Sequence, residues 1–237
     1  MRIKHYYYFG NTVQKELNGN ILNENNWDVL RMQGDKAFAL ENDIREYERN
    51  CQQAIEYKEA AKKLVKILKK NNINRVVSLG VGKGILEWHI KNQMPEVYMI
   101  CTDYATEGIE QLKKVFPKCD EILRYDMLKG DYSVWENTLV LMYRISTEFT
   151  KREWMDVFFR MHKGGIKRII FVPTELLTLK IMIKEIGRHF FNRFCGRKDI
   201  MCGWMYSRKE FLDIFQEYDI DEEYNERANK VIFSLKA

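Results

Sequence analysis

The feature that most constrains the fold is a regular alternation of short apolar runs with amphipathic runs, which begins near Val76 and continues toward the carboxyl terminus. The apolar runs are rich in Val and Ile, as is typical of strands buried on both faces: RVVSLG, VYMICTD, TLVLMYRI and KRIIFVP, with EILRYDM as a shorter candidate. The intervening segments have the three- and four-residue apolar spacing of helices. Strands and helices that alternate with short connections favour a parallel sheet covered on both faces.

Two further strands are predicted at 218–224 and 230–235, joined by a hairpin-like connection. The predicted fold is therefore α/β, with a seven-stranded, mostly parallel, doubly wound sheet and an antiparallel last strand. A helical insertion is expected after the fifth strand, at about 174–205. Residues 1–72 are predicted to form an amino-terminal cap with a long helix over 42–70, and 73–237 the sheet domain. The first 41 residues lack a sustained period and predict short pieces and loops.

Composition excludes several classes of protein. With 46% hydrophobic and 31% charged residues, the 237-residue chain can bury a full core and is not a disordered protein. Its five cysteines form no CxxC pair, which argues against a disulfide framework, a zinc ribbon or an iron–sulfur cluster. We find no signal-peptide pattern and no apolar run of about 20 residues, so we expect a reduced, soluble, cytoplasmic protein without a metal. The net charge of +5 is modest for a nucleic-acid-binding module.

Glycines at alternate positions join the first strand to the following helix. Gly80, Gly82 and Gly84 allow a sharp turn there and let a ligand approach the backbone amides, beside a helix amino terminus that favours an anionic group. The spacing is GxGxG, and Ile85 stands where the third glycine of a dinucleotide-binding GxGxxG would fall. A tight turn that binds nothing is the alternative. Glu87, one turn into the helix, either contacts a cofactor's amino group or only satisfies the helix dipole.

Acidic residues follow the next two predicted strands. Asp103 can accept hydrogen bonds from a ribose diol, and Tyr104 beside it can pack on adenine. Asp126 and Met127 could hold the adenine amino group and its apolar face. Asp103 could instead cap a helix, and Asp126 could be an ordinary turn residue, but the recurrence of acids at successive strand ends favours a cofactor site.

The ordered segments SLGVGKG, TDY, YDM, VLMYRI and HKGG resemble the class I (Rossmann-like) S-adenosylmethionine-dependent methyltransferases. The resemblance runs from about residue 75 to the carboxyl terminus. It implies S-adenosylmethionine as cofactor, with the three glycines around its methionine portion, Asp103 on the ribose, and Asp126 and Met127 near adenine. It also implies that Tyr143 and Arg144 lie under the cofactor next to the substrate.

The sequence departs from the family pattern in two places. Lys83 lies inside the glycine run, and we expect its side chain to point to solvent. The fourth strand ends in MYRI, where adenine-methylating enzymes have Asp/Asn-Pro-Pro-aromatic, and no Pro-Cys pair for cytosine methylation is present. The sequence therefore gives less support to an enzyme that methylates adenine or cytosine in nucleic acids.

The predicted reaction is methyl transfer to an oxygen or nitrogen of a small-molecule, glycan or lipid-linked acceptor. Candidates near the reacting centre are Glu148, Arg144 and His189, with His5 and Glu175 as further candidate bases. A lone histidine is more often structural. The alternatives are a non-catalytic cofactor-binding or regulatory protein of the same fold, an RNA methyltransferase, and, with least support, a nicotinamide dehydrogenase. The sequence leaves the oligomeric state open.

Two other segments have alternative interpretations. Residues 176–198 combine an apolar helical face with basic residues that continue to Arg197 and Lys198. This pattern fits a lid over an anionic or lipid-linked substrate, a peripheral membrane contact, or a helix packed on the body by its apolar side, and the packed helix is the commoner outcome. Near the amino terminus, Tyr6, Tyr7, Tyr8, Phe9 and Trp27 either close over the cofactor or only anchor this segment.

Overall fold

A computed structural model describes residues 3–8, 24–33, 39–196, 199–225 and 230–237. The strands are β1 Ile3–Tyr8, β2 Arg75–Leu79, β3 Tyr98–Asp103, β4 Glu121–Arg124, β5 Leu139–Tyr143, β6 Arg168–Val172, β7 Asp199–Met205, β8 Asp219–Asn225 and β9 Lys230–Lys236. The α-helices are α1 Glu24–Gln33, α2 Ile44–Gln53, α3 Ile55–Lys70, α4 Ile85–Gln93, α5 Thr106–Val115, α6 Lys151–Lys163, α7 Leu179–Phe194 and α8 Arg208–Ile214, with a 3₁₀ turn at Ser133–Trp135.

Within these described ranges, the main sheet has seven strands in the order β4-β3-β2-β5-β6-β9-β8. Neighbours from β4 to β6 pair in parallel, whereas β9 is antiparallel to both β6 and β8. This confirms the predicted α/β sheet with its antiparallel last strand. The strand order reverses between β2 and β5, and ligands of such sheets bind at the carboxyl ends of the strands beside that point.

Each face of the sheet carries its own hydrophobic core. On one face, α3, α4 and α5 pack through Leu64, Ile90 and Leu112, and on the other α6 and α8 pack through Phe158 and Phe211. Successive residues of a strand divide between the two cores because side chains alternate across a sheet. The sheet is thus doubly wound, as its continuous apolar strands indicate.

The predicted helix over 42–70 is in fact two helices. Ala54 leaves the helical conformation, with ψ of 70°, and its amide closes the end of α2 on the carbonyl of Cys51. The break separates two buried faces, Tyr47 and Cys51 in α2 and Leu64 and Leu68 in α3, and Ile55 beside the break is exposed. Prediction of one helix was wrong because the apolar spacing continues through the break.

The amino-terminal segment pairs with the insertion after β6, which the sequence did not predict. Strands β1 and β7 form a separate antiparallel pair, from Ile3 opposite Met205 to Tyr8 opposite Asp199. The insertion is therefore helix and strand rather than purely helical. Phe9 lies outside the described residues, and Tyr6, Tyr7 and Tyr8 are described through their backbone alone.

Helix α7 begins at Leu179, where the Thr178 side chain accepts a hydrogen bond from the amide of Ile181. Its buried residues are Ile181, Glu185 and Asn192, and most of its large apolar side chains face outward. The interpretation that its apolar side packs on the body was therefore wrong. Arg197 and Lys198 lie outside the described residues. None of the helices in the described ranges combines the length and the apolar character that crossing a bilayer requires.

Candidate functional site

A cavity of about 750 Å³ opens at the carboxyl ends of β2, β3 and β5, a size typical of small-molecule and cofactor sites. Most of the predicted site residues line it: Gly80, Gly82, Glu87, Asp103, Tyr104, Asp126, Met127, Tyr143, Arg144 and Glu148. The predictions that placed these residues at one sheet edge are consistent with this arrangement.

The glycine turn forms the floor of the cavity. Gly80 and Gly82 have φ of +68° and +57°, a region that side-chain-bearing residues avoid. A Cβ on Gly80 would lie 2.9 Å from Cγ2 of Ile145, and one on Gly82 would lie 2.7 Å from Nη2 of Arg31. Gly84, also left-handed, is the N-cap residue of α4 and sits behind the lining residues. Conformation thus favours glycine at positions 80 and 82, and space adds to this at Gly80, since the Arg31 side chain near Gly82 can move aside.

Asp103 connects the segments that form the floor of the cavity. Its Oδ2 accepts a hydrogen bond from the amide of Gly82 at 2.8 Å, and its Oδ1 accepts from the amides of Tyr104 and Ala105 at 2.8 and 3.2 Å. The N-cap residue of α5 is Ala105, so Asp103 does not hold the capping position. Since a carboxylate has about four acceptor positions, Oδ2 keeps room for a further donor.

Asp126 is both a lining residue and a turn residue. Its Oδ1 accepts a hydrogen bond from the amide of Leu128 at 2.9 Å, and the ammonium group of Lys129 lies 3.5 Å from Oδ2. The ordinary-turn interpretation therefore describes part of its role. Met127 follows it, with a buried side chain that lines the same wall.

Glu87 lies beneath the glycine turn with only 3% of its surface exposed. The hydroxyl of Ser78 donates a hydrogen bond to its Oε1 at 2.6 Å. Burial raises the pKa of Glu87 to about 7, and the negative charge of Asp103 adds to this rise. The carboxyl is therefore partly protonated at neutral pH.

Glu148 is half-buried and opens to the cavity. Burial raises its pKa to about 8, and the nearby charge of Asp103 contributes, while Arg31 and a hydrogen bond from the Trp27 side chain act in the opposite direction. A carboxyl group that titrates near the working pH can accept and return a proton, which suits a general base.

Tyr143 ends β5 at the same edge, and Arg144 follows it. Burial raises the pKa of Tyr143 to about 12, and its ring centroid lies 5.7 Å from that of Tyr57. Arg144 adopts φ of +61°, unusual for a residue with a side chain, and its guanidinium is 3.4 Å from the carboxylate of Glu56. Its amide donates to the carbonyl of Val172 at 2.7 Å, which holds this strained turn.

The other candidate bases lie elsewhere. Among the described residues that line the cavity, His5, Glu175 and His189 are absent. His189 is on α7, with its ring 6.2 Å from that of Phe190, and His5 is on β1, with Nδ1 3.5 Å from the carboxylate of Glu185. His189 is not among the described residues that line the cavity, so its catalytic role stays a prediction.

The roof of the cavity includes Trp27, for which the sequence left two interpretations, and Arg31 and Tyr57, which the sequence analysis did not single out. Helix α1 places Trp27 and Arg31 on the lining, with the guanidinium of Arg31 5.1 Å from the centre of the Trp27 ring. Of the two interpretations of Trp27, the one in which it covers the cavity agrees with this position. Tyr57 of α3 also lines the cavity. In the sequence around these residues, the three- and four-residue spacing of Trp27, Leu30 and Arg31 is the feature that could have predicted a helix here.

Lys83 does not point to solvent as expected. Its ammonium group lies 2.7 Å from the carboxylate of Glu41, and both side chains are almost fully buried. Its carbonyl accepts a hydrogen bond from the hydroxyl of Tyr47 at 2.9 Å. These contacts anchor the glycine turn to α2 and to the segment before it.

Comparison with known proteins identifies the fold. No protein-family model matches the chain, and no curated protein matches its sequence. Among solved structures, magnesium protoporphyrin IX methyltransferase from Synechocystis, with bound S-adenosylhomocysteine, matches with a TM-score of 0.57 and 11% identity over 94% of this chain and 92% of that one. The S-adenosylmethionine-dependent methyltransferase SibL matches with a TM-score of 0.61 and 9% identity, over 94% and 64%.

Human N-acetylserotonin methyltransferase, in complex with S-adenosylmethionine, matches with a TM-score of 0.53 and 12% identity, over 76% of this chain and 55% of that one. The matched part spans about half the length of several such enzymes, for example 49% of mitomycin 7-O-methyltransferase. The chain therefore has the fold of the class I S-adenosylmethionine-dependent methyltransferases.

Proposed function

We propose that the protein is an S-adenosylmethionine-dependent methyltransferase that acts on an oxygen or nitrogen of a small-molecule, glycan or lipid-linked acceptor. The observation that carries this proposal is the hydrogen bond from the Gly82 amide to Oδ2 of Asp103, inside a cavity of about 750 Å³. This hydrogen bond connects a turn without side chains to a carboxylate that can accept hydrogen bonds from hydroxyl groups. The turn suits the amino-acid portion of an adenosyl amino acid, and the carboxylate suits its ribose.

The lining residues fit this cofactor. The open position on Oδ2 of Asp103 can accept a hydrogen bond from a ribose hydroxyl. The left-handed backbone of Gly80 and Gly82 leaves the turn free of side chains, so that an amino-acid portion can lie against it. Tyr104 and Met127 offer flat or apolar surface for the adenine.

The cofactor and residues of the chain would each contribute to catalysis. When bound, S-adenosylmethionine supplies a methyl group activated by the adjacent sulfonium charge, and S-adenosylhomocysteine is released. Glu148 would take the proton from the acceptor's O–H or N–H group, since its raised pKa lets the carboxylate accept a proton near neutral pH. Trp27 and Arg31 would orient Glu148 and exclude water from the roof side.

The acceptor proposed is a small molecule or a small part of a larger one. The cavity that Glu148 lines is also lined by the aromatic residues Tyr57, Tyr143 and Phe149, which suit a flat or apolar acceptor. Two of the similar structures are named for small-molecule acceptors, a magnesium porphyrin and N-acetylserotonin. The modest net charge gives no support to a nucleic-acid acceptor.

The proposal is tested in two steps with the full chain. Calorimetric titration with S-adenosylmethionine, S-adenosylhomocysteine and NAD⁺ should show saturable binding of the two adenosyl compounds alone. Methyl transfer from cofactor labelled with tritium on the methyl group is then measured across a panel of phenols, amines, glycans and isoprenoid-linked sugars. Binding without transfer to any acceptor would favour the non-catalytic alternative, and NAD⁺ binding without adenosyl binding would overturn the proposal.

A further inference from the structure

Helix α7 has its polar side turned inward. Its buried residues include Glu185 and Asn192 beside Ile181, and they face the β1–β7 pair. There the carboxylate of Glu185 is 2.6 Å from Arg188 and 3.5 Å from His5. The inner side thus combines an ion-paired cluster with a small apolar cluster of Ile181 and Met205.

The opposite side of α7 is an exposed apolar stripe. At 100° per residue, five side chains fall on one line that faces away from the buried residues: Leu179, Ile183, Ile186, Phe190 and Phe194. Phe190 is 68% exposed and Phe194 is 92% exposed. A run of large apolar groups with this periodicity indicates a surface that another phase or molecule covers.

Basic residues border the apolar stripe. Lys180 and Lys184 lie along one edge and Arg193 along the other, and all three are exposed. The only acidic residue of α7 is Glu185, which is buried and ion-paired. The outward side therefore combines apolar groups with positive charge, and its long basic side chains can keep their charges in water while their stems cover apolar surface.

We propose that this outward side of α7, which we call the α7 surface, docks on the surface of an anionic lipid bilayer. An amphipathic helix of this kind lies in the plane of the membrane, with its apolar side among the acyl chains and its cations at the anionic headgroups. Charge decides between this occupant and a second copy of the chain, because two α7 surfaces would bring basic residues together with no exposed acid of the helix to pair them. The inference goes beyond the proposed methyl transfer and does not depend on it.

Vesicle flotation with the full chain is the direct test. The protein should float with mixed phosphatidylcholine–phosphatidylglycerol vesicles, bind pure phosphatidylcholine vesicles at least tenfold more weakly, and lose affinity as salt concentration rises. Equal binding to both vesicle types would contradict the role given to the cations.

Two double variants separate the apolar and the charged contributions. Ile183→Ser with Phe190→Ser should weaken binding to mixed vesicles at least tenfold, because two exposed side chains no longer enter the acyl region. Lys180→Gln with Lys184→Gln should weaken it about fivefold for each cation. All four positions are exposed, so the variants should keep the circular dichroism spectrum and melting temperature of the parent.

Matched variants on α3 and α6 serve as controls. Ile55→Ser with Phe159→Ser removes apolar groups that are also exposed, and Lys69→Gln with Lys70→Gln removes two exposed charges; both should bind vesicles like the parent. If the α7 variants float like the parent, the proposal is wrong. It is also wrong if sedimentation equilibrium shows a dimer that the Ile183→Ser, Phe190→Ser variant converts to a monomer, while vesicles bind neither protein.

Discussion

The floor and the roof of the cavity are assembled in different ways. The floor consists of the glycine turn after β2 and Asp103 at the end of β3, whose positions are fixed by the parallel register that pairs Leu79 with Thr102. The roof consists of side chains from distant segments, Trp27 and Arg31 of α1 over Glu148 after β5. Backbone hydrogen bonds between neighbouring strands and the carboxylate of Asp103 hold the floor, whereas contacts between side chains of distant segments hold the roof.

This difference suggests a division of labour. The floor offers rigid backbone and one carboxylate, which suits recognition of a ligand that is the same in every reaction, as a cofactor is. Burial raises the pKa of Glu148, and the roof opposes this rise through the charge of Arg31 and a hydrogen bond from Trp27, so the roof bears on turnover. Helix α1 itself is joined to the body partly by Asp28, which accepts a hydrogen bond from the amide of Glu107 at 2.9 Å. Substitutions in the two regions should therefore change different measured quantities.

The largest effect is expected from Glu148→Gln in the roof. The amide cannot take up a proton, so kcat for methyl transfer should fall roughly 10²- to 10⁴-fold. The affinity for S-adenosylhomocysteine should stay within a factor of two or so, since Gln still accepts the hydrogen bond from Trp27. Glu110→Gln, on the exposed side of α5, is the matched control. An unchanged kcat in the Glu148 variant would remove the proposed base.

Asp103→Ala should have the next largest effect, on affinity. It removes an acceptor for the ribose and leaves the Gly82 amide without its partner, which should cost about 1.5–3 kcal/mol in binding of S-adenosylhomocysteine. Calorimetry of this variant beside Asp213→Ala, which lacks an exposed carboxylate far from the cavity, measures the difference. Equal affinities would contradict the assignment of Asp103 to the ribose.

The free energy of unfolding should depend on pH, because the pKa values of two carboxyl groups, Glu87 and Glu148, are raised in the folded protein. The pKa values of Glu87 and Glu148 are about 7 and about 8 in the folded protein, above the value of an unfolded chain. The folded state therefore holds protons that the unfolded state has lost, and the free energy of unfolding should fall as pH rises from about 5 to about 8, by at most about 1.4 kcal/mol per pH unit for each group.

Urea denaturation of the unliganded protein over this pH range provides the measurement. Glu87→Gln retains the hydrogen bond from Ser78 and should give a shallower slope than the parent, whereas Glu110→Gln should not. A slope unaffected by substitution of Glu87 or Glu148 would show that neither group carries the linkage.

The smallest effect is expected from Arg31→Ala in the roof. Loss of this charge removes a force that lowers the pKa of Glu148, so the acid limb of the pH–rate profile should move upward by up to about one unit. Arg31→Lys keeps the charge and should return the profile toward that of the parent. If both variants leave the profile in place, Arg31 covers the cavity without tuning Glu148.

The floor was predictable because its signals are local. Glycines at alternate positions after an apolar strand predict a turn whose backbone favours glycine. An acidic residue at the end of the next strand predicts an acceptor for a ligand, and both patterns lie within short stretches of sequence. The same reasoning predicted the seven strands and the antiparallel end. The role of Asp126 was less predictable, because a turn residue and a ligand-binding residue have the same local sequence pattern; in the structure it is a turn residue that also lines the cavity.

The roof and the β1–β7 pair were not predictable because they depend on contacts between distant segments. Nothing near Arg31 indicates that its guanidinium lies over Gly82, and nothing near Lys83 indicates its buried partner Glu41. Helix α7 shows the same limit: its periodicity was evident, but only the structure showed that the side with Ile181 and the ion-paired Glu185 faces the body. An amphipathic pattern predicts two sides and leaves open which one is buried.

A crystal structure of the chain grown with S-adenosylhomocysteine tests the central claim most directly. The account predicts a ribose hydroxyl within about 3 Å of Oδ2 of Asp103 and the amino-acid portion against the backbone of Gly80 and Gly82, with Glu148 facing the space beyond the sulfur. A ligand bound elsewhere, or a ribose turned away from Asp103, would contradict it.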